Sequence, residues 1–263
     1  MTTEFLVYLI LGIILLIFSL FLLITLFVQI RLREKYSIFT VKFCVDLITS
    51  ISLIALGALD RTKNERTCGA SLVISTSVPL LQGLLLLSEV IDFSLAAFSP
   101  VYFHNSSLLS RVLPFIAGAA SSAVILTALI VIDSTTNANT CITSPEATAV
   151  ISVYDFSLGI STVCVTALAV LLLKNLNSDF FEPIVFHFIT AILFQECPLL
   201  ICILFKYTKQ KSAIISADAA NWCFGIHALL HSIYFIVTHK DYVRGIRNTF
   251  FEWRISSSFR RHY

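Results

Sequence analysis

Seven long apolar runs, at roughly 5–30, 37–59, 70–97, 111–132, 148–173, 183–206 and 213–238, occupy most of this chain. A helix of about 20 residues covers the ~30 Å hydrocarbon core of a bilayer, and every run is longer than that. Lipid offers no hydrogen-bond partner to an exposed N–H or C=O, so each run is expected to cross as a helix. An odd number of crossings places the two ends on opposite sides. The expected fold class is therefore an all-α membrane protein, a seven-transmembrane-helix bundle.

Composition carries the same message. The chain is 57% hydrophobic and 13% charged, whereas a soluble domain holds about 25% charged residues. The longest gap between runs, 133–147, is too short for a separate domain. One domain is expected over 1–239, with a tail over 240–263. The first run exceeds the ~7–15 residues of a secretory h-region. With Glu4 before it and Arg31, Arg33 and Lys35 behind it, it is expected to be a signal-anchor helix with its N-terminus outside.

Under the positive-inside rule, this orientation gives the inner side Arg31, Arg33, Lys35, Lys42, Arg111, Lys174, Lys240, Arg244, Arg247, Arg254, Arg260 and Arg261. The outer side receives Arg61, Lys63, Arg66, Lys206, Lys209 and Lys211, a split of 12 to 6 among the 18 basic residues. In the tail, Tyr242, Ile246, Phe250 and Trp253 recur at helical spacing with Lys240, Arg244, Arg247 and Arg254 on another face. That pattern predicts an amphipathic helix on the membrane surface, its cations facing anionic headgroups.

Five of the seven cysteines, Cys44, Cys164, Cys197, Cys202 and Cys223, fall in runs and are expected to be small buried hydrophobes. Cys68 and Cys141 fall in outer loops facing an oxidising compartment. A Cys68–Cys141 disulfide is expected, pinning the outer loop over the bundle.

A bridge from the top of the third helix to the second outer loop resembles that of rhodopsin-like G-protein-coupled receptors. Those receptors carry D-R-Y-x-A-V-x-x-P at the inner end of the third helix. Here Asp92, Ala96 and Pro100 fall in register, and Phe93 replaces the Arg. Pro198 keeps the bend proline of C-W-x-P in the sixth run, and Tyr234 keeps the Tyr of N-P-x-x-Y in the seventh. Drifted signatures on this scaffold, the segment Pro100-Val101-Tyr102-Phe103-His104-Asn105 and the His231-Ser232-Ile233-Tyr234 to His239-Lys240-Asp241-Tyr242 ending are similar to the nematode serpentine chemoreceptors, most of all the Srbc class. The resemblance implies rhodopsin-like architecture, a heterotrimeric G protein as partner, and an odorant or pheromone-like small molecule as ligand. It also implies residence in the plasma membrane of a sensory neuron, including its cilium.

Ionisable groups within the runs are costly in lipid and are expected to face the bundle interior. They are Asp46, Glu89, Asp92, Asp155, Glu196, Asp218, His187, His227 and His231. Asp46 lies where the resembled receptors often hold a sodium-binding Asp. With Asp92, Phe93, Pro198 and Tyr234 it forms the candidate switch set, facing the G protein. Ligand contacts are expected from the outer halves of runs three, five, six and seven: Ser75, Gln82, Tyr154, Asp155, Gln195, Glu196, Asp218, Asn221 and Trp222. The alternative for each of these, taken alone, is packing or interhelical hydrogen bonding. Pro79 and Pro198 are expected to kink their helices.

Other functions fit less well. His227 and His231 form an H-x-x-x-H pair like that of membrane zinc hydrolases, but such a site needs a third His and an acid, and the charge split opposes the orientation. A transporter or channel should show repeats or charge rings, and the 8 glycines and absence of a repeat speak against it. No catalytic signature, no metal or cofactor motif and no nucleic-acid patch is visible, so no enzyme activity is expected. The one N-x-S/T sequon, Asn105-Ser106-Ser107, is expected on the cytoplasmic side.

Overall fold

The computed structural model describes residues 3–58, 182–207 and 213–252 continuously, together with 74, 78–79, 81–89, 91–92, 95 and single positions among 101–174. Among the described residues all regular structure is helical. Four helices are long and apolar enough to cross a membrane: Phe5–Val28, Phe39–Ala58, Val185–Phe205 and Asp218–Thr238. The described part of the chain is thus all-helical and suited to a bilayer, with Ile17, Phe27, Leu193 and Leu204 among the large apolar side chains on its exterior.

Helix α1, Thr3–Val28, ends where Gln29 turns to an extended backbone, φ −106° and ψ 95°. The short α2, Ile30–Lys35, follows and leads into α3, Ser37–Ala58. The first run therefore does not continue as one helix to residue 30 but corners at Gln29. Helices α1 and α3 lie antiparallel and close together. A Cβ on Gly12 would come within 2.7 Å of Ile54 Cγ1 and 3.1 Å of the Ser50 carbonyl, and one on Gly57 within 3.2 Å of Tyr8 Cβ. Small residues permit this approach where lipid supplies no hydrophobic drive between helices.

The sixth run forms α4, Glu182–Ala191, a π-helical turn Ile192–Glu196, and α5, Cys197–Tyr207. The widened turn lies just before Pro198, which has no N–H to donate and would crowd the carbonyl four residues back. The N–H of Cys197 reaches five residues back to the Ile192 carbonyl. Helix α6, Ala213–Thr238, packs on α1, α3, α4 and α5 and is the hub of the described bundle.

Side-chain contacts fix the directions of these helices. Tyr8 meets Asp218 and Trp222, and Leu11 faces Gly225, so α1 and α6 run parallel. Phe186 stacks on Tyr234 while Leu199 packs with Phe224, so the sixth run opposes α6. Val78 packs with Leu199, Gln82 meets Gln195 and Glu89 meets His187, so the third run also opposes the sixth. The third run thus finishes, and the sixth begins, at the same end of the bundle, the end that carries α2.

That end is closed by α7, Lys240–Arg247, and a further π-helical turn, Asn248–Glu252. The amphipathic helix expected over the tail forms, but its apolar side packs on the chain itself. Tyr242 is fully buried and donates to the Leu22 carbonyl at 2.7 Å, and Phe250 stacks on Phe21. Gln29 donates to the Gly245 carbonyl at 2.6 Å, and the Tyr36 hydroxyl donates to Asp241 at 2.7 Å. Lys240, Arg244 and Arg247 stay exposed, as the sequence pattern predicts. Trp253 and Arg254 lie outside the described residues.

Candidate functional site

A chain of buried polar side chains runs through the middle of this bundle. Asp46 of α3 is fully buried, and its Oδ1 accepts a 3.2 Å bond from Gln82 Nε2, which also donates to Thr49 Oγ1 at 2.9 Å. Gln195, in the π-helical turn, donates to Gln82 Oε1 at 3.3 Å. Residues from three runs, two of them from α3, are thereby joined. Amide side chains suit this task because each can donate and accept at once.

Nearer the α2 end, His187 Nε2 of α4 lies 2.7 Å from Glu89 Oε2, with both side chains buried. The His187 ring stands 4.6 Å from that of His231 and 5.5 Å from that of His227, centroid to centroid, both on α6. Several nitrogens close no hydrogen bond among the described residues: His187 Nδ1, His231 Nδ1 and both of His227, although the Thr190 backbone lies near the last. Asp46 Oδ2 is likewise unpartnered. Lys42, one turn before Asp46 on α3, is 1% exposed and is an electrostatic neighbour of Asp46, Glu89, His227 and His231. Unpaired buried polar atoms are uncommon in folded chains and mark places where protons, waters or ligands act.

The expected ligand set divides. Gln82 and Gln195 gather beside Asp46, and Glu196, next to Gln195 in the π-helical turn, is buried. Asp218 and Trp222 meet instead at Tyr8, whose hydroxyl donates to Asp218 Oδ1 at 2.6 Å and whose ring lies edge-on to the indole at 5.7 Å. Asn221 is buried one turn from Asp218. Ser75, Tyr154 and Asp155 lie outside the described residues, as do Cys68, Cys141 and Phe93. Of the switch set, Asp46 sits in the network, Asp92 is buried one turn past Glu89, Pro198 follows the π-helical turn, and Tyr234 stacks on Phe186 at 3.9 Å. Cys44 and Cys223 carry free thiols and are half-buried, whereas the free thiol of Cys197 is exposed on the exterior of the helix and not buried as the sequence led one to expect.

Two features are not apparent from the sequence. Lys42 counts there only as an inner-side cation at the edge of the second run, yet it is buried in the bundle; its four-residue spacing from Asp46 is the available signal. The meeting of His187 with the α6 histidines depends on how two helices face each other, which no local pattern records. These three rings and Glu89 supply the residue types of a metal centre, but among the described residues no group of three or more His, Cys, Asp or Glu is arranged to hold a metal ion. Outside the bundle, burial pushes the Tyr242 phenol well above its ordinary range, so it remains a hydrogen-bond donor. No protein-family model matches the chain, and no curated protein matches it.

Proposed function

We propose that the chain is a chemosensory serpentine receptor that binds a small molecule from outside the cell and signals through a heterotrimeric G protein at its inner face. The observation that carries this reading is the break in the sixth run, with one polar tie to the third inside the π-helical turn and another in the arm before it. Gln195, in the π-helical turn, holds Gln82, while His187, in the arm before it, holds Glu89. A ligand that perturbs the Gln82–Gln195 side would bend the helix at Pro198 and load the His187–Glu89 side. This is the lever by which a bundle passes binding at one end to a rearrangement at the other.

Helix directions support seven crossings. The described ends of the third and sixth runs stand at the same end of the bundle, so an even number of crossings is called for between them, and the sequence there contains two apolar runs, 111–132 and 148–173. The α2 end, where α7 and its exposed cations sit, is then cytoplasmic, and the N-terminus is extracellular. The ligand-facing residues are Gln82, Gln195 and Glu196. A Cys68–Cys141 bridge would cover them from outside.

The test is calcium imaging of cells expressing the chain, challenged with volatile and water-soluble small molecules. A reproducible response that Glu196→Gln or Gln195→Ala weakens at least tenfold, with surface expression unchanged, supports the receptor reading. Responses indifferent to both substitutions would remove these residues from the ligand site.

A further inference from the structure

We infer that α2 and α7 together form a docking site for a membrane lipid whose headgroup carries clustered phosphates, gripped by Arg31 and Arg33 from one helix and Arg244 and Arg247 from the other. This inference does not rest on the receptor reading; it needs only that the apolar spans lie in a bilayer. The first and last of these spans end at Val28 and Thr238. Each is followed by one residue with non-helical backbone, Gln29 at φ −106° and ψ 95° and His239 at φ −97° and ψ 88°, and then by a short basic helix. Because α1 and α6 run parallel, both breaks fall at one end of the bundle. Helices α2 and α7 therefore begin where hydrocarbon gives way to headgroups.

The two helices are clasped side by side. Gly245 makes room for Leu32, whose Cδ1 would collide with any Cβ there, and Gln29 Nε2 donates to the Gly245 carbonyl at 2.6 Å and to Thr249 Oγ1 at 2.9 Å. Arg31 and Arg33 flank Leu32 in the chain and Arg244 precedes Gly245, so this contact draws cations of both helices together. All three, with Arg247, are exposed. Each helix holds three basic residues against one acid. The acid of α7, Asp241, is half-buried and accepts from the Tyr36 hydroxyl, which turns it toward the protein. Next to the cations in the chain, Phe27, Val28, Ile30, Val237 and Val243 are exposed. An apolar fringe beside cations suits a phosphorylated headgroup with acyl chains beneath it better than an acidic protein segment. Guanidinium groups pair with phosphate in a bidentate fork, so several on one braced pad select a headgroup with several phosphates over one with a single charge.

Fluorescence anisotropy of a labelled short-chain phosphatidylinositol bisphosphate, added to the full chain in neutral detergent, tests this. Binding should saturate, and phosphatidylserine at matched total charge should displace the probe about tenfold less well than unlabelled phosphatidylinositol bisphosphate. Arg31→Gln with Arg33→Gln, and Arg244→Gln with Arg247→Gln, should each weaken binding about 30-fold, as expected for two lost cations. Gly245→Val keeps every charge but wedges α7 from α2, and it should weaken binding as well. Equal displacement by the two lipids, or undiminished binding in a folded Gly245→Val, would leave only diffuse attraction and overturn the site. Equal displacement by soluble inositol trisphosphate would overturn the lipid as its occupant, and tighter capture of an acidic peptide would replace it with a protein. If Gly245→Val fails to fold, the comparison of the two lipids on the unmodified chain decides.

Discussion

Tyr242 shows how one residue fixes the end of the chain. Its hydroxyl replaces water with the Leu22 carbonyl, 220 positions away, and its ring fills the corner between α1 and α2. Because its folded phenol ionises later than a free one, its contribution is complete below about pH 10 and fades above it, when the unfolded chain ionises first. Alkaline unfolding followed by tryptophan fluorescence should therefore be less steep in Tyr242→Phe, which should cost about 1 kcal/mol at neutral pH. Lys42 acts on the opposite principle, since its value lies in the carboxylates it faces. Lys42→Met should destabilise the bundle by ~3–5 kcal/mol, read as a lower Tm in detergent, because it leaves Asp46 and Glu89 without their cation. Asp46, Glu89 and His187 announce themselves in the sequence as ionisable groups within apolar runs. Their partners do not, because pairing depends on helix rotation that hydropathy does not encode.

Helices were legible where composition alone decides them. The seventh run, 213–238, coincides with Ala213–Thr238, and the sixth begins within a residue of its expected start. The corner at Gln29 was not legible, because no Gly or Pro marks it and the packing of α7 holds it in place. Pro198 predicts a kink, but the π-helical turn ahead of it emerges only from how the chain re-pairs its carbonyls. Pro198→Ala should let that turn close toward regular helix and shift Gln195 away from Gln82. On the proposed receptor reading the expected result is a bundle held in one state, and unchanged ligand-dependent signalling would refute the hinge. The α1–α3 contact depends on the missing side chain of Gly12, so Gly12→Leu should cost about 1–3 kcal/mol through overpacking, measurable as a depressed Tm.

Across the whole molecule, parallel first and last helices require an odd number of crossings. With the extracellular N-terminus proposed above, epitope tags should be accessible at the N-terminus in intact cells and at the C-terminus only after permeabilisation. Asn105 should carry no glycan, and a glycan there would invert the arrangement. Four of the expected runs, the first, second, sixth and seventh, are membrane-length helices because hydrocarbon thickness sets their length, whereas the order in which they pack was not legible. The clasp joining α7 to α1 and α2 has a consequence for biosynthesis. At ~5–20 residues per second, α1 leaves the ribosome roughly 10–40 s before Asp218 and Tyr242 follow it. Until then Tyr8 and the Leu22 corner lack their partners. Nascent chains stopped short of residue 213 should accordingly be retained by membrane chaperones and degraded, while chains that reach residue 252 escape surveillance.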